Sequence, residues 1–172
     1  MIVYLQMIET PEEQSKFEVL YCHYRGLMFH VANRMLDHAE DAEDAVHTAF
    51  MKVAENIRKV DAPVSGRTKA YLITILEHQC IDMIRKRERD NHLSLDELDV
   101  GIPFEYEGAD AVAACIAQMP PQYRHVLELK YRHGFNNREV ASILDISVAN
   151  AIKIDQRAKK RLEVLCYQEE LL

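Results

Sequence analysis

From Asp90 to Gly108 the helical spacing of apolar residues that runs through the rest of this chain breaks off. The stretch contains Asn91, Gly101, Pro103 and Gly108, and from Asp96 to Asp110 it carries acidic side chains with no basic one. An acidic segment without a period has no face to bury and reads as a flexible linker. In a chain of 172 residues this break leaves room for two small domains only. We therefore expect a first domain over residues 1–90, a linker over 91–108 and a second domain over 109–172. Gly and Pro are scarce, at five each, and the two-residue alternation of a half-buried strand is hard to find. The expected fold class is all-α.

Local signals place the helices. Thr10-Pro11-Glu12-Glu13 has the order of a helix start, with Thr10 as N-cap, Pro11 in the first turn and Glu13 at the capping-box position. Phe17, Leu20, Tyr21, Tyr24, Leu27, Met28, Val31 and Met35 follow at helical spacing, with Gly26 a candidate division into two helices. Asp41 is the expected cap of the next helix, whose apolar stripe is Ala45, Val46, Ala49, Phe50 and Val53. Lys59 to Thr68, with Asp61, Pro63, Ser65 and Gly66, has loop chemistry, and a third helix is expected from Lys69 to Arg89. In the last third, helices are expected over Ala109–Met119 and Gln122–His133. Asn136 and Glu139 form a capping-box pair for a helix through Leu144, and Ser147 caps a final helix reaching about Cys166.

The net charge of −7 argues at first sight against a nucleic-acid partner, but its distribution reverses the argument. Basic residues gather in two places: Arg85, Lys86, Arg87 and Arg89, and then Lys153, Arg157, Lys159, Lys160 and Arg161. Phosphate meets a local basic face and not the total charge. Cys22, Cys80, Cys115 and Cys166 have no paired spacing, which suits buried free thiols in a reducing cytoplasm and neither a zinc site nor a disulfide framework. His78 and Asp82 at i, i+4 lack a third ligand in register, and no phosphate-cradling glycine loop or nucleophile motif is present. We expect no metal, no cofactor and no enzymatic activity. No apolar run reaches the roughly twenty residues that a membrane span needs, and MIVYLQMIE is short, with no basic residue before it, unlike a signal peptide.

Two segments carry nucleic-acid chemistry. Residues 136–162 contain two helices joined by a turn of three to four residues, the spacing of a helix-turn-helix. Val140, Ala141, Ile143, Leu144 and Ile146 are its expected internal contacts. The early residues of the second helix are those that reach base edges: Val148, Ala149, Asn150 and Lys153. Arg157, Lys160 and Arg161 suit phosphate. The plainer alternative is a helical hairpin with a solvated basic side. The second segment is the helix after Lys69, where Tyr71, His78 and Asp82 precede a basic tail suited to phosphate contact and stacking of unpaired bases.

In this order and at this separation, AEDAVHTAFMKV (42–53), AYLITILEHQCIDMIRKRER (70–89) and MPPQYRHVLELKYRHGFNNREVASILDIS (119–147) resemble the extracytoplasmic-function group of sigma-70-type factors. The resemblance runs from about Phe17 to Leu165. It implies a cytoplasmic protein that binds core RNA polymerase and directs it to promoter DNA. Asp44, His47, Phe50 and Met51 would dock on the polymerase clamp helices. The loop from Lys59 and the helix after it would open and read the −10 element, through Arg67, Lys69, Tyr71, His78, Asp82, Arg85 and Lys86. The second domain would read the −35 element through Arg138, Ser147, Val148, Asn150, Lys153, Arg157 and Lys160, with the linker threaded near the RNA exit path. An anti-sigma protein as a third partner is left open. So is a sigma-like helix-turn-helix regulator that does not itself direct initiation.

The chain departs from the family pattern at several places. Tyr71-Leu72 stands where the family usually has Trp-Leu, His78 where it has Asn, and His47 where Gln is common. In the last helix Ile152 and Ile154 replace basic residues and Asp155 replaces an apolar one. Either that helix packs in another rotation, or its contact with DNA differs.

Overall fold

The computed structural model describes residues 1–90 and 111–168, apart from the side chains of residues 90, 111 and 168. The chain divides into two compact units, Met1–Leu98 and Asp99–Leu172. The expected linker, residues 91–108, lies outside the described residues, as do the first residues of the helix expected from Ala109. Every regular element among the described residues is helical.

In the first unit a short helix α1 (Ile2–Leu5) precedes α2 (Pro11–Leu36), α3 (Ala39–Glu55), a 3₁₀ turn (Ile57–Lys59) and α4 (Gly66–Asp90). Thr10 caps α2 by accepting the Glu13 N–H, with Pro11 in the first turn, while the Glu13 carboxylate takes Arg58 at 3.1 Å. The α2 helix runs unbroken through Gly26, so the division expected there does not occur; a Cβ at that position would meet nothing within 4 Å. One exposed glycine lowers helix propensity, but the buried stripe of Phe17, Leu20, Tyr24, Met28, Ala32 and Leu36 holds the helix across it. The chain then turns through Asp37, in the left-handed region at φ 56, and α3 starts two residues before the expected Asp41 cap. Its N-cap is His38, which makes no side-chain cap, and Glu40 and Asp41 sit in the first turn, where they suit the helix dipole. The α4 helix also starts early, at Gly66, because the Ser65 hydroxyl accepts the Thr68 N–H at 3.0 Å and caps it.

Helices α2, α3 and α4 pack pairwise into a bundle, and α1 lies on α3. An aromatic group fills one end: Phe50 lies 4.8 Å from Tyr21 and 6.1 Å from both Phe17 and Tyr4, centroid to centroid. From Ala70 to Glu77 every residue of α4 is buried, while its basic end emerges into solvent. A helix covered all round is the central one of its bundle.

The second unit holds α5 (Ala111–Ala117), α6 (Pro121–Leu127), a π-helical segment (Glu128–Arg132), α7 (Asn137–Ile143) and α8 (Val148–Gln168). Pro121 opens α6, and the helix widens into π geometry before Gly134, at φ 73, ends it. Helices α5, α6 and α7 all pack on α8, around Met119, Leu127 and Ala158, with Ile116, Tyr123, Leu162 and Leu165 against them. No described helix is long and apolar enough to cross a membrane.

Three of the four cysteines are buried, but Cys22 is exposed, against the expectation for all four. It falls on the outward side of α2. Burial pushes the Cys80 thiol up to about 12, so it stays a protonated core residue.

Candidate functional site

The helix-turn-helix of the second unit is assembled by local chemistry. Asn136 accepts the N–H groups of Arg138 and Glu139 at 2.9 and 3.1 Å, and the Glu139 carboxylate returns to the Asn136 N–H at 2.7 Å. Both halves of the capping box are therefore made. The turn passes through Asp145 in the left-handed region, φ 50, and the Ile146 N–H closes on the Ala141 carbonyl at 2.9 Å. Ser147 then caps α8 by accepting the Asn150 N–H at 3.1 Å. Val140, Ala141, Ile143 and Leu144 are buried between the helices and Ile146 half-buried, the contacts expected of them.

Burial fixes the rotation of α8. Ala151, Asp155, Ala158 and Cys166 face inward. Asn150, Lys153, Arg157 and Lys160 are exposed, and Lys153, Arg157 and Lys160, at i, i+4 and i+7, share the outward face. Val148 and Arg138 are exposed too, as is Ser147, whose hydroxyl accepts in the cap and whose carbonyl accepts the Ala151 N–H at 2.9 Å. The departures noted in this helix thus separate. Ile152 faces solvent at 37 % exposure, Ile154 is half-buried, and Asp155 takes the inward place of an apolar residue.

A buried carboxylate needs partners, and Asp155 has three. It accepts from Lys130 Nζ at 2.6 Å, from the Tyr131 hydroxyl at 3.0 Å, and lies 3.5 Å from Lys159 Nζ. Burial alone would push this carboxyl up. The hydrogen bonds from Lys130 and Tyr131 and the two lysine charges outweigh it and hold Asp155 below the usual carboxylate range. Sequence reading did not find this group. Its signal was a single charge in an apolar register; two of its partners, Lys130 and Tyr131, are brought to it by the π-helical segment from 25 and 24 residues earlier.

In the first unit the predicted residues fall into two places. On α3, Asp44 and His47 are exposed and Met51 is half-buried, whereas Phe50 is 0 % exposed within the aromatic group. Of these four, Asp44, His47 and Met51 lie on the surface of α3, and the Phe50 ring acts in the core. His47 Nδ1 lies 2.6 Å from the Tyr4 hydroxyl, a contact made by α1, a helix that the sequence did not announce.

On the other side lies the turn before α4. It is shorter than the loop expected from Lys59 to Thr68, because Lys59 ends the 3₁₀ turn and Gly66–Thr68 already belong to α4. Two anchors hold it: Lys16 Nζ donates to the Val60 carbonyl at 2.9 Å, and the Tyr24 hydroxyl both donates to the Ser65 carbonyl and accepts its N–H. Arg67, exposed, pairs with Asp61 at 3.3 Å across the turn. Lys69 is half-buried, and Tyr71 is buried, so its ring belongs to the core and not to a stacking surface. Further along, His78 and Asp82 pair at 3.0 Å, next to exposed Arg85 and Lys86. Burial pushes the Asp82 carboxyl up, but the His78 hydrogen bond and the charges of His78, Arg85 and Lys52 bring it below its ordinary value. Arg87 pairs with Asp41, tying the basic end of α4 to α3. Among the described residues no group of three or more His, Cys, Asp or Glu could hold a metal ion.

The comparisons with known proteins fall on the same two units. The sigma-70 region 2 family model matches residues 20–90, and the sigma-70 region 4 model matches residues 109–162. The chain is 28 % identical over 133 residues to the ECF RNA polymerase sigma factor SigM of Bacillus subtilis (strain 168), covering 72 % of this chain and 78 % of that one. It is 25 % identical over 167 residues to SigW of the same organism, covering 87 % and 88 %, and 24 % identical over 176 residues to SigX, covering 92 % and 86 %. A solved structure of the sigma factor RpoE in complex with the anti-sigma factor NepR from Bartonella quintana aligns with 90 % of this chain and 95 % of its own, at 21 % identity and a TM-score of 0.41.

Proposed function

The chain belongs to the sigma-70 family of RNA polymerase sigma factors, in its extracytoplasmic-function group, and from that premise we propose that it binds core RNA polymerase through its first unit and directs initiation by reading −10 and −35 elements. The observation that carries the reading is the outward face of α8. A helix capped at Ser147 exposes Asn150 and Lys153 in its first two turns and Arg157 and Lys160 after them. That is the order in which a helix-turn-helix presents base-edge donors and then phosphate contacts. The Asn150 amide suits adenine, and Lys153 suits the acceptors of guanine.

In the first unit, docking on the polymerase falls to Asp44, His47 and Met51 on α3. Reading of the −10 element falls to the turn anchored by Tyr24 and to Arg67, Lys69 and His78, with Arg85 and Lys86 on phosphate. An unpaired base is best taken up by a fixed turn beside accessible polar side chains; Arg67 is exposed, Lys69 and His78 are half-buried, and the two anchors supply the fixity. Asp82 keeps His78 in place on this face.

The test is run-off transcription with core RNA polymerase on a randomised promoter library, followed by sequencing of the products. The expected products share two upstream elements at a fixed separation. Core polymerase that gains no promoter preference from the chain would overturn the proposal in favour of a DNA-binding regulator.

A further inference from the structure

Asp155 is an anomaly on the helix just assigned to DNA. It is buried at 6 % exposure, where Ala151 and Ala158 on either side would suit an apolar neighbour. Its strongest partner, Lys130 at 2.6 Å, is also nearly covered, so these two charges cancel inside the unit. Two groups beside them do not turn inward. Tyr131 is 57 % exposed although its hydroxyl is held by Asp155. Lys159, more than half exposed, stands 4.9 Å above the Tyr131 ring and 3.5 Å from Asp155. Two ammonium groups against one carboxylate leave a single uncompensated positive charge at the solvent edge of the group. Lys159 lies one turn after Asp155 on the same side of α8, about 100° around the helix from Lys160.

We propose that Asp155 is a positioning residue, which holds Tyr131 and Lys159 together as a DNA-phosphate contact on the flank of α8. This deepens the helix-turn-helix reading and rests on it. An exposed lysine ordinarily loses rotamer freedom when it grips a phosphate. One held over an aromatic ring, with a carboxylate beside it, has lost part of that freedom before DNA arrives. The contact joins two elements, because Tyr131 comes from the π-helical segment and Lys159 from α8.

The test uses holoenzyme assembled from the full chain and core RNA polymerase, on duplex promoter DNA, with affinity followed as salt is raised. Lys159→Gln should flatten the salt dependence by about one unit of slope, a loss of roughly 3-fold in sensitivity across a fourfold rise in salt. Lys159→Arg should restore it. The double variant Asp155→Leu with Lys130→Met removes one charge of each sign and leaves an apolar pair in their place, a change that buried ion pairs often tolerate. It should keep the parent's thermal midpoint and still bind the promoter about 3-fold more weakly, because Lys159 is no longer held. If the double variant is stable and binds like the parent, Asp155 serves the fold alone and the proposal is overturned. It is overturned equally if Lys159→Gln leaves the slope unchanged while Lys160→Gln lowers it, an outcome that spares the wider reading of α8. If neither lysine changes the slope, both readings fall.

Discussion

Replacing Phe50 tests whether α3 uses this ring in the core or at a partner. Its side chain is 0 % exposed and meets Tyr21, Phe17 and Tyr4 with centroids 4.8 to 6.1 Å away. Full burial of a Phe contributes about 1.5–3 kcal/mol by transfer alone, and the cavity left by truncation raises the cost of Phe→Ala to about 3–5 kcal/mol. At about 0.05–0.15 kcal/mol per residue, a unit of roughly 90 residues has about 5–13 kcal/mol in total. Phe50→Ala therefore removes about a quarter or more of the stability of the first unit. Phe50→Leu, which keeps an apolar side chain in place, should cost only about 1–2 kcal/mol. The chain has no Trp, so urea unfolding is best followed by far-UV circular dichroism. With a slope of about 1–3 kcal/mol per molar urea, the alanine variant should shift the first unit's midpoint by about 1 M or more. At a temperature where Phe50→Leu is folded, it should co-purify with core polymerase as the parent does. A folded leucine variant that fails to bind the polymerase would refute the reasoning, since the ring would then have to leave the core to meet its partner.

Other expectations follow from the same geometry. His47→Glu should reduce co-purification with core polymerase while costing the fold about 1 kcal/mol for the lost Tyr4 contact; undiminished binding would remove His47 from the docking surface. Asn150→Ala should relax −35 preference and cost about 1–3 kcal/mol on the best promoter, whereas Lys160→Ala should weaken all promoters alike and lower the salt slope by about one unit; the opposite pattern would mean that α8 docks in another rotation. The Asp155 carboxyl is held below its ordinary value of 3.8 in the folded chain, so the unfolded chain binds its proton more readily. Its stabilising contribution is therefore complete above that value and is lost as the pH falls through the lower folded value. Acid unfolding of the second unit in Asp155→Asn should show a shallower dependence in that range, and identical acid profiles for parent and variant would contradict the assignment.

The sequence determined the parts whose causes lie within a few residues of one another. Thr10, the Asn136 and Glu139 pair and Ser147 start α2, α7 and α8 because a cap is made with an N–H two or three positions on. The helix-turn-helix and its internal apolar contacts were legible for the same reason. The His38 start of α3 and the unbroken run through Gly26 were not, since tertiary packing outweighs a weak cap or one glycine. Only the tertiary structure decided which of the chemically suitable residues are available. Phe50 and Tyr71 look like contact residues in the sequence, yet helices distant in the chain cover both. The rotation of α8 was likewise open until Lys130 and Tyr131 met Asp155. A helix read alone has two candidate faces, and which one turns inward depends on partners that folding brings from elsewhere, because burial free energy belongs to the pair of surfaces and not to either sequence segment by itself.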